Sequence, residues 1–387
     1  MIKTGIPKLD DYLHGGIPKG KSICYYTQPG VAGEVFGMQT LISHLEQGGK
    51  GLFITTTIEP SMVREEFMDY GWDIERYGDR FAILDAFSGL MGIQSDERYV
   101  VDDPGDIQNL NDTISRAIDD FEHGGVVHGS LSQIVDLCGE NIDEYLKEWN
   151  KNIMLNDSIG IYNFTAWPYP EEILRKIKEE LFDCVVDIGG VGGRILFGQY
   201  YGIIRANWCE AEKRYVLFRV TKPGGVKVYI PKLLVTGPFN AGKSTFIHSL
   251  STRAVSVDRL GTTVALDHGH VDHMGFSVDL FGTPGQERFD PLLKLLGKEA
   301  YGVFVVIDST KPQDFARAKA MLELIKVHGL PYIIVANKQD LEGALSEKEI
   351  REKMQIGEEI KILPVVATEK KGVVEAFETI VNMVVGA

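Results

Sequence analysis

The clearest chemical pattern in this chain is G-x-x-x-x-G-K-S at residues 237–244. It follows an apolar stretch at 233–236 and precedes a helical pattern at 246–250, which together predict a strand, a tight loop and a helix. In such a loop the glycines let several backbone N–H groups point at one anion, and the helix N-terminus favours negative charge. The lysine reaches the outer phosphates, and the serine hydroxyl can ligate Mg²⁺. We therefore expect nucleotide binding by Gly237, Asn240, Ala241, Gly242, Lys243, Ser244 and Thr245.

A second pattern, N-K-x-D at residues 337–340, discriminates between the bases. It directly follows an apolar strand pattern at 331–336 and lies about 100 residues after the first pattern. The Asp340 carboxylate can accept hydrogen bonds from guanine N1–H and from the 2-amino group, whereas adenine offers no such pair of donors. Asn337, Lys338 and Asp340 are therefore expected to bind the base, and the expected cofactors are GTP or GDP with Mg²⁺.

Two α/β domains are expected to position these residues, one spanning 1–230 and the other 231–387. The first alternates apolar strands with helical patterns, which predicts a parallel sheet covered on both faces. In the second, the same alternation predicts a doubly wound domain with ligand loops at the carboxyl ends of its strands. A polar connection is expected at 253–263, and the expected strands of this domain are 232–237, 264–271, 276–282, 301–308, 331–336 and 362–367.

Two stretches of the second domain resemble the switch segments of Ras-like small GTPases. Residues 261–267, Gly-Thr-Thr-Val-Ala-Leu-Asp, resemble switch I, and the spacing to the next strand favours Thr263 over Thr262 as the ligand of Mg²⁺ and γ-phosphate. Residues 281–289, Phe-Gly-Thr-Pro-Gly-Gln-Glu-Arg-Phe, resemble switch II. This resemblance implies that the Gly285 N–H contacts the γ-phosphate and that Gln286 orients the attacking water.

The tail of switch II decides which residue stands where Ras-like proteins carry an acid. Asp279–Gly282 fits D-x-x-G, but the Gly-Gln-Glu-Arg-Phe tail aligns Gly282 with the usual acid. We prefer the second alignment, which leaves Mg²⁺ without its usual neighbouring carboxylate. The same departure occurs in the MglA-type prokaryotic relatives of Ras and Arf, which residues 231–387 resemble throughout. The resemblance implies that the Ala367 N–H meets guanine O6 and that Thr368 covers the base.

Another departure from the Ras-like pattern is Phe239, which occupies a loop position that is glycine in many of these proteins. A bulky ring beside the γ-phosphate would crowd a catalytic arginine inserted by a partner, so slow hydrolysis is expected. An arginine could instead act from within the chain, and Arg253, Arg259 and Arg288 lie in or beside the switches. For each of them, a solvated surface charge is the preferred interpretation.

A cluster of histidines and acids follows switch I at positions 267, 268, 270, 272 and 273 and raises the question of a metal site. These residues alternate along a strand and its turn, so their side chains point to different faces. This alternation favours an exposed hairpin.

The first domain resembles the RecA/KaiC-type ATPase family in its entry segment at 4–20 and in the strand and helix patterns at 50–72. Where that family carries its phosphate loop, residues 28–35 read Gln-Pro-Gly-Val-Ala-Gly-Glu-Val, with Glu34 and Val35 replacing lysine and serine or threonine. A carboxylate there repels a triphosphate, and no hydroxyl remains for Mg²⁺.

The acid that the RecA/KaiC family uses beside Mg²⁺ is also missing, because Gly129 stands at its expected place. Asp187 belongs to a later strand of the pattern. Glu59 matches the family's water-activating glutamate, although a solvated acid at a helix start is the preferred interpretation. We therefore interpret residues 1–230 as a pseudo-ATPase domain with a regulatory or scaffolding role, and oligomerisation through this domain is possible.

Composition restricts partners and location. A net charge of −15 and a pI near 5.1 argue against sequence-independent binding of nucleic acid. Neither a signal peptide, a transmembrane stretch nor a prenylation cysteine is evident, so no direct membrane anchor is expected. The four cysteines contain no C-x-x-C pair, which indicates free thiols in a reducing cytoplasm.

Three hypotheses about function follow. The first is a switch that hydrolyses GTP slowly, with Gln286, Lys243 and Thr263 as the catalytic residues and Ser244 and Thr263 as Mg²⁺ ligands. The second is a scaffold that binds GTP with negligible hydrolysis and signals its nucleotide state. The third keeps ATP chemistry in the first domain. An activator, an exchange factor and an effector are the expected protein partners of a switch.

Overall fold

The computed structural model describes residues 1–121, 123–139, 142–190, 198–211, 214–252, 256–260, 264–273, 276–297, 300–326 and 329–385. Within these residues the chain divides into two compact units, Met1–Tyr229 and Ile230–Ala387. Each unit is built around its own sheet, one of ten strands and one of seven. Among the described residues, no helix has both the length and the apolar character required to cross a bilayer.

The first unit is built around a sheet with strand order β10-β9-β8-β7-β1-β6-β5-β2-β3-β4. Its strands are β1 Ser22–Thr27, β2 Lys50–Thr55, β3 Phe81–Asp85, β4 Tyr99–Val100, β5 Gly124–His128, β6 Ile159–Thr165, β7 Cys184–Gly190, β8 Gln199–Ala206, β9 Tyr215–Thr221 and β10 Gly225–Val228. Its helices are α1 Leu9–Tyr12, α2 Glu34–Glu46, α3 Pro60–Asp69, α4 Phe87–Met91, α5 Ile107–Asp120, α6 Leu131–Cys138, α7 Ile142–Leu155 and α8 Glu171–Glu179, and Glu75–Arg80 forms a 3₁₀ segment.

This sheet is parallel from β1 to β7, whereas β8, β9 and β10 extend it in antiparallel fashion. The predicted parallel sheet is therefore found from β1 to β7 and is wrong for the last three strands. The strand β8 was not predicted. Only its central residues are buried, and it lies beside β9 near the edge of the sheet, where burial imposes a weaker apolar pattern.

Helices cover both faces of this sheet. Alternate residues of β1 belong to opposite cores, with Ile23 and Tyr25 on the side of α2 and α3, and Cys24 and Tyr26 on the side of α5 and α7. The alternation follows from the two-residue period of a strand. Both faces of β1 are covered, so all six of its residues are buried.

The second unit has strand order β12-β13-β14-β11-β15-β16-β17. Its strands are β11 Lys232–Thr236, β12 Ser256–Leu260, β13 Val264–His273, β14 Phe276–Gly282, β15 Gly302–Asp308, β16 Tyr332–Asn337 and β17 Ile362–Val365. Its helices are α9 Lys243–Leu250, α10 Asp290–Gly297, α11 Phe315–Lys326, α12 Glu347–Met354 and α13 Val373–Val385, with 3₁₀ turns at Glu287–Phe289, Pro312–Asp314 and Ala367–Glu369.

The central strands β14, β11, β15, β16 and β17 run parallel, and β12 and β13 add an antiparallel edge. The prediction of a polar connection over 253–263 is wrong for Ser256–Leu260, which pair along their whole length with β13. This edge segment is a strand because it pairs with β13, although its sequence has no apolar pattern of its own. The carboxyl ends of β11, β15 and β16 lie side by side, so the loops that follow them converge.

Candidate nucleotide site

The loop between β11 and α9 depends on two glycines with positive φ angles, 142° at Gly237 and 95° at Gly242. A Cβ added to Gly237 would lie 2.0 Å from the Val306 carbonyl oxygen, and one added to Gly242 would lie 2.3 Å from Asn337 Nδ2. Both positions therefore exclude side chains, as well as requiring a backbone conformation that favours glycine. Gly242 then precedes the first turn of α9, whose N–H groups face the end of the loop.

Lys243 folds back over this loop. Its ammonium group donates to the carbonyl oxygens of Gly237 at 3.0 Å and Pro238 at 2.8 Å. Burial lowers the pKa of Lys243 to about 8, an effect that the negative charge of Asp267 opposes. The loop therefore holds a partly desolvated cation, for which the oxygens of a bound phosphate would be stronger partners than neutral carbonyls.

Side chains of the predicted base pattern connect three loops. Asn337 Nδ2 donates to the Ala241 carbonyl at 3.0 Å, and its Oδ1 accepts the Ala367 N–H at 3.1 Å. Lys338 Nζ donates to the Asn240 carbonyl at 3.0 Å. The structure thus brings together the phosphate loop, the N-K-x-D loop and the loop after β17. A contact from Ala367 to guanine O6 stays a prediction, and it requires this N–H to be shared with Asn337.

Asp308, at the end of β15, also holds the base loop and was missed by the sequence analysis. Its Oδ2 lies 2.6 Å from Lys338 Nζ, and its Oδ1 accepts from the hydroxyl and the N–H of Thr310. Burial alone would raise the pKa of Asp308, but these hydrogen bonds bring it below its usual value. An acid that ends a fully buried strand was the available signal. Asp340 and Thr368 lie beyond these contacts, and both are exposed.

The predicted switch II segment packs directly on the phosphate loop. A Cβ on Gly285 would lie 2.5 Å from the Gly237 carbonyl oxygen and 2.6 Å from the Phe239 nitrogen. Thr283 donates its hydroxyl to Thr236 at 2.7 Å, which fixes the start of the segment to β11. Gln286 follows and is exposed. The segment therefore lies where its N–H groups can meet the end of a phosphate chain.

Arg317 on α11 holds switch II in this place, and no motif pointed to it. Its Nε donates to the Gly285 carbonyl at 3.2 Å, and its two terminal nitrogens lie 3.1 and 2.5 Å from the Asp290 carboxylate oxygens. Such a paired arrangement fixes the planar guanidinium in one orientation. Contacts between distant segments of this kind leave no local sequence signal.

A cavity of about 680 Å³ opens between the phosphate loop and switch II. Phe239 borders it with 63% of its surface exposed, and Arg288 borders it from the switch II side. Thr262, Thr263 and Arg253 lie outside the described residues, as does the side chain of Arg259. The cavity is lined by Phe239, Asn240, Gly242, Lys243, Ser244, Thr245, Asp267, Gly282, Thr283, Pro284, Gly285, Gln286, Arg288, Phe289, Lys311 and Lys338.

The acid of the alternative switch II alignment points away from this cavity. Asp279 Oδ1 lies 2.8 Å from His270 Nδ1, and His270 Nε2 lies 3.2 Å from Asp272 Oδ1. These three side chains share one face of the β13–β14 hairpin. Gly282, at the end of β14, is the residue that borders the cavity. This placement favours the alignment of Gly282 with the usual acid of Ras-like proteins.

The corresponding loop of the first unit uses its polar groups within the fold. The N–H of Gln28 donates to Ile188, the N–H of Val31 donates to Gln28, and the N–H of Gly33 donates to Val31. Gln28 Oε1 accepts the Gly190 N–H at 2.9 Å. These N–H groups are thus unavailable to an anion.

Side-chain burial in this loop points the same way. Val31 and Val35 are buried in the core, with 6% and 1% exposure, and Glu34 is exposed. Val35 occupies the place where the RecA/KaiC pattern has a hydroxyl, and here it contributes to packing.

Gly129, where the same pattern has its acid, lacks room for a side chain. A Cβ there would lie 2.8 Å from Phe53 Cζ and 2.9 Å from the Ile54 carbonyl oxygen. We expect Gly129→Ala to lower the free energy of unfolding by about 1–3 kcal/mol, the usual cost of overpacking. Chemical denaturation of the full chain measures this, with Gly105→Ala as the control because that Cβ would meet only the Asp103 side chain at 3.2 Å. An unchanged midpoint for Gly129→Ala would contradict the steric argument.

Two α/β units are thus present, one with a complete phosphate-loop pattern and one with a degenerate loop. Comparison with family models gives the same division: residues 2–232 match the KaiC ATPase family, and residues 226–384 match the ADP-ribosylation factor (Arf) family. The chain therefore belongs to the KaiC-type ATPase family, and its C-terminal part is similar to the Arf family. The predicted RecA/KaiC-like and Ras/Arf-like resemblances and the predicted fold class are confirmed.

Curated relatives match within a third of the chain. A UPF0273 protein from Aeropyrum pernix is 38% identical over 136 residues, which cover 34% of this chain and 55% of that protein. A UPF0273 protein from Methanopyrus kandleri is 35% identical, covering 34% and 54%. The chain spans about half the length of these relatives. A solved KaiC-like protein from Pyrococcus horikoshii is 23% identical, with a TM-score of 0.47 over 59% of this chain and 98% of that chain.

Proposed function

We propose that the second unit is a molecular switch that binds GTP and hydrolyses it slowly. The observation that carries this proposal is the set of direct hydrogen bonds that Asn337 and Lys338 make to the phosphate loop. They join a triphosphate site to a base site that contains the guanine-selecting Asp340. The match of residues 226–384 to the Arf family, whose members bind guanine nucleotides, supports it. Residues 1–230 then act as a regulatory or scaffolding module.

The residues present fit GTP and Mg²⁺. Lys243 is a partly desolvated cation inside the loop, and the exposed Ser244 hydroxyl at the start of α9 is available to a metal ion. Thr263 is the other proposed Mg²⁺ ligand. Bound Mg²⁺ supplies positive charge that offsets the charge developing on the phosphate oxygens.

The chain's own groups account for the chemistry of hydrolysis. Lys243 and the N–H groups of the loop orient the triphosphate and stabilise its growing negative charge. The Gly285 N–H holds the γ-phosphate, and the Gln286 side chain orients a water molecule in line with the bond to be broken. The close packing of switch II on the phosphate loop supports both proposed roles.

The test of hydrolysis is Gln286→Leu in the full chain. We expect phosphate release to fall about 10²–10³-fold, the usual effect of removing one well-placed polar group from a transition state. Binding of a fluorescent GTP analogue should be unchanged, because Gln286 uses its backbone carbonyl, not its side chain, to accept the Phe289 N–H. Glu287→Gln, at the exposed next residue, is the control.

A second candidate function is a GTP-binding scaffold with negligible hydrolysis. The exposed ring of Phe239 at the cavity favours it, because the ring stands where an arginine from a partner would enter. Equal and near-zero rates for wild type and Gln286→Leu, with GTP binding retained in both, would select the scaffold over the enzyme.

Partners are proposed on the same basis. A switch needs an exchange factor, an activator and an effector, and we propose that protein surfaces recognise the switch segments of the second unit. The net charge of −15 disfavours nucleic acid as a partner. Oligomerisation through the first unit and location in the cytoplasm are further proposals.

A further inference from the structure

Asp267 lies in the nucleotide cavity, on the opposite face of β13 from the His270–Asp279 pair. Its Oδ2 accepts a hydrogen bond from the Ser244 hydroxyl at 2.5 Å. The carboxylate therefore touches the residue that is proposed to ligate Mg²⁺. The sequence pattern had grouped Asp267 with the neighbouring histidines, but its contacts are with the phosphate loop.

The register between β13 and β14 explains how Asp267 reaches this place. The antiparallel ladder ends with His268 opposite Phe281, and the next residues along each strand are Asp267 and Gly282. A Cβ added to Gly282 would lie 2.8 Å from Ile247 Cδ1, 3.1 Å from Asp267 Cβ and 3.3 Å from Asp267 Oδ2. Thus the Asp267 carboxylate, together with the Ile247 side chain, borders the space into which a side chain at position 282 would point.

The missing side chain at Gly282 and the carboxylate at Asp267 therefore complement each other. An acid at 282 would place two carboxylates side by side, which costs free energy through like-charge repulsion. Because residue 282 is glycine, the Asp267 carboxylate on the adjacent strand meets no second negative charge there. Its negative charge also acts on Lys243, the cation of the phosphate loop, so it lies within electrostatic range of the phosphate-binding groups.

We propose that Asp267 supplies the carboxylate that helps hold Mg²⁺ in the nucleotide site, in place of the acid that is absent at Gly282. Mg²⁺ prefers hard oxygen ligands and is usually bound through one or two carboxylates, directly or through its waters, together with the phosphates of the nucleotide. Asp267 acts on the ion together with the Ser244 hydroxyl that it contacts. The inference rests on the proposed guanine-nucleotide site and corrects the expectation that Mg²⁺ lacks a neighbouring carboxylate there.

The experiment measures how Mg²⁺ controls release of a fluorescent GDP analogue from the full chain. In wild type, Mg²⁺ should slow release and EDTA should accelerate it. In Asp267→Asn, we expect the Mg²⁺ concentration for half-maximal slowing to rise about 10–100-fold, the usual effect of losing a partner of a metal site. Release in EDTA reports the Mg²⁺-free effect of removing the charge near Lys243, and we expect it to change much less than the Mg²⁺ requirement does.

Two further variants separate a metal role from a merely structural one. Asp279→Asn removes the other acid of the hairpin and should leave the Mg²⁺ dependence unchanged. The exchange Asp267→Gly with Gly282→Asp moves the carboxylate to the adjacent strand and should restore the Mg²⁺ dependence. If Asp267 only positions Ser244 in the nucleotide-free loop, the double variant should not recover the Mg²⁺ dependence of GDP release.

The outcomes distinguish the inference from the function on which it rests. If wild type binds no guanine nucleotide, the proposed function fails and the inference fails with it. If wild type shows Mg²⁺-dependent GDP release and Asp267→Asn keeps the same dependence, only the inference is overturned. Loss of the dependence in Asp279→Asn alone would assign the role to the alternative acid and would also overturn it.

Discussion

Replacement of Asp340 by asparagine is expected to change the base preference of the second unit from guanine to xanthine. We propose that the Asp340 carboxylate accepts hydrogen bonds from guanine N1–H and from the 2-amino group. Hydrogen bonds to a charged partner contribute about 1.5–3 kcal/mol each. Loss of the pair should therefore weaken GTP binding by roughly 10²–10⁴-fold. Xanthine carries a carbonyl at position 2, and the asparagine amide can donate to it while its oxygen accepts from N1–H.

Competition of GTP, XTP and ATP against a fluorescent nucleotide measures this change in base preference. Asp340 is exposed and follows a strand whose loop is held by Asn337 and Lys338, so the substitution should leave the loop folded. Glu342→Gln, an exposed acid two residues later in the chain, is the matched control and should keep the preference for GTP. If Asp340→Asn binds GTP as wild type does, or if ATP competes equally with GTP in wild type, guanine selection by Asp340 is wrong.

The binding patterns were predictable because each depends on consecutive residues. G-x-x-x-x-G-K-S encodes a loop and a helix start within eight residues, and Gly237 and Gly242 have the positive φ angles that this loop requires. N-K-x-D follows a strand that is buried on both faces and therefore reads as a continuous apolar run. Local spacing fixes where these residues lie in the fold, although it does not test what they bind.

Other contributors to the site could not be predicted because their roles depend on pairing between distant segments. Asp267 reaches Ser244 only through the register of β13 on β14, and a shift of one residue would turn its side chain to the other face. Arg317 meets Gly285 and Asp290 through the packing of α11 beside switch II. The strand Ser256–Leu260 was missed for the same reason, since its hydrogen bonds come from β13.

Replacement of Lys243 by methionine should have opposite effects on nucleotide binding and on the stability of the nucleotide-free chain. Removing one partner of a desolvated charge pair costs about 2–5 kcal/mol, which corresponds to roughly 30- to 5,000-fold weaker binding of GTP. Without nucleotide, however, burial lowers the pKa of Lys243 from 10.5 to about 8, so at pH 7 the folded loop holds an ammonium group that prefers water. Methionine fills similar space without that charge, and we expect the nucleotide-free variant to be at least as stable as wild type.

The contribution of Lys243 to the stability of the nucleotide-free chain depends on pH, and its direction follows from the lowered pKa. Between pH 8 and the ordinary lysine pKa of 10.5, the unfolded chain binds more protons at Lys243 than the folded chain does, so this group makes wild type more stable as pH rises. Melting temperatures of wild type and Lys243→Met, with and without GDP at pH 7 and pH 9, measure both effects. Without nucleotide, the excess stability of Lys243→Met over wild type should be smaller at pH 9 than at pH 7. GDP should raise the melting temperature of wild type but not that of Lys243→Met. Lys348→Met, at an exposed position, controls for loss of a surface charge.

Nucleotide hydrolysis by Lys243→Met also tests which unit binds and hydrolyses nucleotide. In the first unit, Val31 and Val35 are buried and the loop's N–H groups bond to its own carbonyls, so we expect no nucleotide turnover once Lys243 is lost. ATP hydrolysis that persists in Lys243→Met would place catalysis in residues 1–230 and would reject the interpretation of that unit as a pseudo-ATPase. Loss of GTP turnover in Lys243→Met, without a fall in nucleotide-free stability, would place the nucleotide chemistry of the chain at the loop of residues 237–244.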